Sequence, residues 1–261
     1  MKLSSVFENL VLTRAAEAAP PARTGRPRAL SDAQVSTLLF KLLRTGCQWR
    51  ELECGSASFM AVYRRVQLWE RTSVIEDAYQ RALQTYSKLR SPKRHLMDSS
   101  HVRNRHGRQP HTGRNHVDRG RQGTKVSVVT DDARIVYGLH LAPSNRPDVI
   151  LLDQTLDTRW VKLDGIELWA DRGYDSRANR QRCADRNVKD RIFRRKTRTT
   201  RKSNAKRVIV EHVFAHLQSM RRLSFRYEQR QETFRLFFIL AFGHRIGQAL
   251  SHLDPLLKGT R

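Results

Sequence analysis

The spacing of apolar residues changes period at Ser91-Pro92, and this constrains the fold more than any other feature of the chain. Before that point the spacing is helical. Ser31-Asp32-Ala33-Gln34 reads as a capping box, Val35, Leu38, Leu39 and Leu42 follow on one face, and Thr45-Gly46 ends the helix. Further helices are predicted over about 58–69 and 74–89, the latter carrying Ile75, Ala78, Tyr79, Ala82, Leu83 and Tyr86. After that point, short β-rich runs come first: RHLMD (94–98), 124–130 and 134–141. A helix around 147–156, the strand IELWA (166–170), a helix over 176–186 and a short strand near Ile192 come next. Two more helices, about 205–222 and 233–250, close the pattern. Three strands, a helix, a strand, a helix and a strand predict an α/β class with a mixed sheet flanked by helices. Asp131-Asp132, between the second and third strands, reads as a hairpin turn rather than a catalytic pair.

The organisation follows from this switch. Residues 1–24 end in the small-residue stretch AAEAAPPA and are expected to be a flexible lead-in. GRPR (25–28) is a basic tetrapeptide of the kind that lies in a minor groove. Residues 25–90 are expected to form a small all-α, helix-turn-helix-like domain, with Arg64, Arg65 and Arg71 set between apolar faces. The mixed sheet is assigned to 91–255, with a tail at 256–261. No run of about 18 apolar residues occurs, so no membrane span is predicted, and LFFILAF (236–242) fits a buried helix. The N-terminus lacks the apolar stretch of a secretory signal. Cys47, Cys54 and Cys183 form no C-x-x-C pair, which fits a reducing compartment without a zinc ribbon.

Charge points to the partner. The chain has 50 Lys and Arg against 25 Asp and Glu, a formal net charge of +25. That excess would balance roughly 40 Å of duplex DNA at one phosphate charge per 1.7 Å. It is uneven. Ten Lys or Arg and five of the ten histidines lie between Arg90 and Lys125, and eleven of the 22 residues from Arg186 to Arg207 are Lys or Arg. His101, His106, His111 and His116 recur every five residues, a spacing that suits a phosphate-touching loop better than a zinc site.

In so basic a chain the acids stand out. Asp98 closes the first strand after the switch and Asp171 closes IELWA, and strand ends in α/β sheets are where sites form. Glu211 lies in a predicted helix whose buried stripe is Val210, Val213, Phe214 and Leu217. Arg207, Glu211, Gln218 and Arg222 fall on a neighbouring stripe. Three carboxylates brought together would suit two divalent cations about 3.5–4 Å apart. Taken singly, each acid also has a structural reading: Asp98 as a turn cap, Asp171 paired with Arg172, and Glu211 paired with Arg207.

Six segments carry a resemblance. They are KLLRTGCQWREL (41–52), VYRRVQLWER (62–71), MDSSHVRNRHG (97–107), GRNHVDRGRQGTK (113–125), ADRGYDS (170–176) and RVIVEHVFAHLQSMRRLSFRYE (207–228). Over about 25–250 the sequence resembles the DDE transposases of bacterial insertion sequences, in particular the insertion-sequence-five group. The resemblance implies an RNase H-like fold with Asp98, Asp171 and Glu211 as catalytic and metal-holding acids, and two Mg²⁺ or Mn²⁺ ions as cofactor. It implies cleavage at terminal inverted repeats of double-stranded DNA, strand transfer into target DNA, and a homodimer on paired ends. The DNA-contacting candidates are Arg64, Arg65, Arg103, Arg105, Arg119, Arg121, Lys125, Arg172, Arg207, Gln218 and Arg222. Around the third acid the wider family shows Tyr, Arg, Glu and Lys. Arg207 and Glu211 match, whereas Asn204 and Gln218 stand where Tyr and Lys would be. Arg221 and Arg222 are candidates to supply the missing charge. The alternative is a catalytically inactive or domesticated DNA-binding derivative. A bacterial source would mean a cytoplasmic, nucleoid-associated protein.

Overall fold

The computed structural model describes residues 2–18, 20, 27–162, 164–194 and 201–258, with the backbone alone over 201–207. Parts of the lead-in, of GRPR, of the basic 186–207 block and of the 256–261 tail lie outside the described residues. The chain divides into two compact units. One comprises Met1–Leu89, Ser219–Ser224 and Arg230–Arg261; the other comprises Arg90–Gln218 and Phe225–Gln229.

The first unit is helical. Its leading helices are α1 (Ser5–Ala18), α2 (Asp32–Thr45), α3 (Phe59–Arg71) and α4 (Val74–Arg90). The predicted capping box is present, since Ser31 Oγ accepts from Gln34 N–H and the Gln34 side chain accepts from Ser31 N–H. Gly46 ends α2 at φ 67°, the left-handed conformation glycine adopts freely. The flexible lead-in is corrected over 5–18. Val6, Phe7, Val11 and Ala15 of α1 are buried. Phe7 packs edge-on to Tyr79 at 6.4 Å and fills the space where a Cβ on Gly243 would sit. The small residues Ala15, Ala16 and Ala18 that suggested a linker are good helix formers once an apolar face has a partner.

The second unit holds a seven-stranded mixed sheet. Its strands begin with β1 (Arg94–Asn104), β2 (Gly113–Asn115), β3 (Arg121–Asp131) and β4 (Val136–Pro143). Then come α5 (Asp148–Asp157), β5 (Glu167–Ala170), α6 (Arg177–Asp185), β6 (Lys189–Ile192) and α7 (Arg201–Ser219). After α7 the chain forms α8 (Arg221–Ser224) in the helical unit and β7 (Phe225–Arg226) in the sheet. It then returns to the helical unit as α9 (Gln231–Leu253). The 91–255 assignment therefore ends differently, because α9 groups with α1 to α4. All of 236–242 is buried. No helix among the described residues is long and apolar enough to cross a membrane.

Within the sheet, β1 lies between β3 and β5. It pairs antiparallel to β3 from His95↔Asp131 to Arg103↔Gly123, and parallel to β5 from Arg94↔Glu167 to Met97↔Ala170. β6 continues the parallel side, pairing β5 from Glu167↔Lys189 to Ala170↔Ile192. On the other edge of β3, β4 pairs over 124–130 and β2 over 121–123. Antiparallel strands, a helix, a parallel strand, a helix and a parallel strand give the mixed order that the spacing predicts. β3 is buried along nearly its whole length because it is paired on both edges. The hairpin after it is also as expected: Asp131 Oδ1 accepts from Ala133 N–H and Ile135 N–H, both at 2.9 Å.

One strand differs. β1 does not stop at Asp98 but continues to Asn104, so Asp98 sits within it. The stretch SSHVRN (99–104) carries mostly polar side chains that read as loop, yet its backbone stays paired, with β3 through Arg103 and with β7 at Arg103 and Asn104. The 90–125 segment is therefore largely strand, and the loops left in it are 105–112 and 116–120. Inside the other unit, Phe7→Ala is expected to lower stability by about 3–5 kcal/mol in denaturant unfolding. A loss below about 1 kcal/mol would mean that α1 is not part of the core.

Candidate active site

The register of β1 and β5 builds the site. Met97 is the last residue of β1 opposite a β5 residue, Ala170, and the residue following each is an aspartate. Parallel strands carry both chains onward in the same direction, so Asp98 and Asp171 emerge side by side where the β5 ladder ends. Both are half-buried.

Each aspartate is locally held. Asp98 Oδ1 accepts from Ser99 N–H at 2.8 Å. Asp171 caps a single 3-10 turn (Arg172–Tyr174), its Oδ1 accepting from Gly173 N–H at 2.7 Å. Space in that turn is tight. A Cβ on Gly173 would lie 2.9 Å from Asp171 Oδ1 and 3.3 Å from Asp148 Oδ2. Asp148, the first residue of α5, was passed over in the sequence, where an acid opening a helix looks ordinary. Its Oδ1 accepts from Ser99 Oγ at 2.6 Å and from Lys125 Nζ at 3.0 Å. The Tyr174 side chain is fully buried, with the hydroxyls of Ser99 and Ser127 beside its own. Burial, then the negative charge of Asp148 and of Asp98, pushes its phenol well above the ordinary range.

Glu211 lies on α7, exposed, while Val210, Val213 and Leu217 are buried and Phe214 half-buried, so the expected faces of that helix are present. Among the described residues no three His, Cys, Asp or Glu side chains gather into a metal-holding group, so Glu211 is not brought to the two aspartates. The four histidines at five-residue intervals do not gather either. His106, His111 and His116 are exposed, and His101 Nδ1 lies 3.1 Å from Ser144 Oγ.

The basic candidates separate by environment. Arg64, Arg105, Arg119 and Arg121 are exposed, as is Gln218, and Arg172 is half-buried. The Arg207 side chain lies outside the described atoms. Arg103 donates through Nε and Nη2 to Asp118 at 2.8 and 2.9 Å, and this bonding holds the Asp118 carboxyl below its usual value. Arg65 is ion-paired with Asp32. Two candidates need correction as DNA contacts. Lys125 is buried and bonds to Asp148. Arg222 is 4% exposed, donates to Cys47 O at 2.7 Å, and sits over the rings of Trp49 and Phe237. The reason for the second is a break at Met220. The helix ends at Ser219, so the periodicity that placed Arg222 beside Glu211 does not extend that far. Sequence reading also missed Arg226, fully buried, with Nη1 donating to Thr124 Oγ1 at 2.8 Å and Nε to Glu228 O at 3.0 Å. A lone arginine in a basic chain gives no signal of this kind. A cavity of about 380 Å³ lined by Arg108, Thr112, Gly113, Arg114, Gln122 and Asn145 adjoins the exposed arginines of the β2 region.

The chain is similar to known proteins. The family described as "Transposase DDE domain" matches residues 89–244, and that described as "Putative transposase of IS4/5 family" matches residues 10–78. A Burkholderia cepacia protein, "Putative transposase for insertion sequence element IS402", is 34% identical over 152 residues, 55% of this chain and 70% of that protein. Among solved structures, a "Mos1 transposase paired-end complex with left transposon end" is 15% identical, with a TM-score of 0.30 over 78% of each chain. A "pre-cleavage Mos1 transpososome" is 13% identical, with a TM-score of 0.28 over 89% of this chain and 81% of that one. The match across 89–244 spans both aspartates and Glu211, and with the second match it settles the assignment: this chain belongs to the DDE transposases of insertion sequences, of the IS4/5 type.

Proposed function

We propose that Asp98, Asp171 and Glu211 form the catalytic centre of this transposase and hold two divalent cations, Mg²⁺ or Mn²⁺. In this reading it cleaves double-stranded DNA at its element's terminal inverted repeats and joins the freed ends to target DNA. The observation that carries the reading is the Met97↔Ala170 register, which sets two carboxylates side by side at the end of a parallel ladder. The donor set fits hard cations. It is carboxylate oxygen without thiolate, and Mg²⁺ keeps several waters, so few protein ligands suffice.

When bound, such cations would lower the pKa of the attacking hydroxyl or water and neutralise charge on the phosphodiester. The chain's own residues do the rest. Asp98 and Asp171 are presented by the sheet and fixed by Ser99 N–H and Gly173 N–H, so little reorganisation is needed at reaction. In hydrolysis, water oxygen bonds to phosphorus, the P–O3′ bond breaks, and the 3′ oxygen leaves as a hydroxyl. In strand transfer that 3′ hydroxyl attacks a target phosphodiester and displaces the target's own 3′ oxygen. Exposed Arg105, Arg119 and Arg121 would hold the DNA backbone through phosphates, which positions the duplex without reading its sequence. Glu211 would join the aspartates when DNA and metal are present, in a dimer that pairs two ends.

Metal-dependent cleavage of end DNA by the full chain tests this. Asp98→Asn, Asp171→Asn and Glu211→Gln are each expected to slow cleavage by about a hundredfold or more. Equal rates for wild type and Asp171→Ala would remove the enzymatic reading. A wild-type chain that binds end DNA but makes no cut would favour the inactive, DNA-binding derivative. Salt dependence tests the surface. Replacing Arg105, Arg119 or Arg121 by Ala is expected to reduce the log–log salt slope of DNA binding by about 0.9 for each phosphate the side chain had neutralised. Replacing Arg222 by Met should leave the slope unchanged; a slope change there would contradict its assignment to the helical core.

A further inference from the structure

Asp148 is not one of the three family acids, yet it touches the supports of both aspartates. Its Oδ1 takes the hydroxyl of Ser99, whose own N–H donates to Asp98 Oδ1. Its Oδ2 borders Gly173, whose N–H donates to Asp171 Oδ1. A movement of the Asp148 carboxylate is thus felt on one side by the β1 backbone at Asp98 and on the other by the turn carrying Asp171.

Lys125 supplies the second half of the argument. It lies on β3 opposite His101 of β1 and is 6% exposed. Its ammonium is ion-paired with Asp148 at 3.0 Å. An ammonium with so little access to water requires a counter-charge.

We propose that Asp148 is a positioning residue for the Asp98–Asp171 pair, and that its ion pair with Lys125 sets the charge against which that pair holds a divalent cation. The proposal rests on the metal-holding reading above. Asp98, Asp148 and Asp171 bring three negative charges and Lys125 one positive, leaving about two for a divalent cation to neutralise. Removing the Asp148 charge leaves the Lys125 ammonium unopposed beside the aspartates and repels the cation. Removing both charges restores the balance.

Mn²⁺ titration of the full chain, by calorimetry or by electron paramagnetic resonance of free Mn²⁺, reads this without relying on turnover. Asp148→Asn keeps the shape and the acceptor for Ser99, and is expected to weaken Mn²⁺ binding about tenfold or more. Adding Lys125→Met to it should recover most of the loss, and Lys125→Met alone should bind Mn²⁺ at least as tightly as wild type. Unchanged affinity in Asp148→Asn would overturn the proposal. So would a loss that Lys125→Met does not repair, because that marks a merely structural contact. If Asp148→Asn does not fold, weaker binding by Lys125→Met alone overturns it. Asp171→Asn separates the two levels. If it binds Mn²⁺ as wild type does, the metal site itself is misplaced. If it abolishes binding while Asp148→Asn does not, only the role of Asp148 fails.

Discussion

The parallel ladder between β1 and β5 is the constraint on which the rest of this molecule depends. It is only four residue pairs long, from Arg94↔Glu167 to Met97↔Ala170. A slip of one residue would turn every side chain of β5 to the opposite face. It would carry Asp171 away from Asp98 and put Ala170 or Arg172 in its place. The register is held from both sides: β3 fixes β1 along nine pairs, and β6 fixes β5 along four. The buried alternation of Leu168 and Ala170 leaves one face available to the core. The two aspartates thus follow strand segments that are each paired on both edges, which is the kind of support a preorganised centre needs.

Charge is arranged around that centre in two ways. Exposed arginines near β2 face solvent, whereas several others are used inside the fold. Arg226 ties β7 to Thr124, and Arg222 closes the helical unit over Trp49. Lys125 also belongs to the interior, as the counter-charge of Asp148. The net charge of +25 consequently overstates the surface offered to DNA, because part of it is neutralised by pairing or taken up in packing.

Legibility followed the range of the interaction. The capping box at Ser31, the Asp131 turn and the strand–helix order are local patterns, and the structure has them where the residues predict. Asp98 and Asp171 were visible because an acid at the end of an apolar run is a short-range signal. The full length of β1 was not, since polar residues such as Ser99, Ser100 and Arg103 stay in a strand only because β3 lies beside them. The packing of α1 was hidden for the same reason, its apolar face having meaning only against α4 and α9 in the fold. The break at Met220 moved Arg222 off the helix of Glu211, and no proline or glycine announces it. Asp148 and Lys125 stand 23 residues apart, on elements that only the tertiary fold brings together.

Anomalous scattering from crystals grown with Mn²⁺ and end DNA tests the central claim most directly. The account predicts a Mn²⁺ peak bridging the carboxylates of Asp98 and Asp171, with Glu211 approaching the second ion and Asp148 still bonded to Lys125. A well-occupied Mn²⁺ bound elsewhere on the chain, with Asp98 and Asp171 both left uncoordinated, would contradict it.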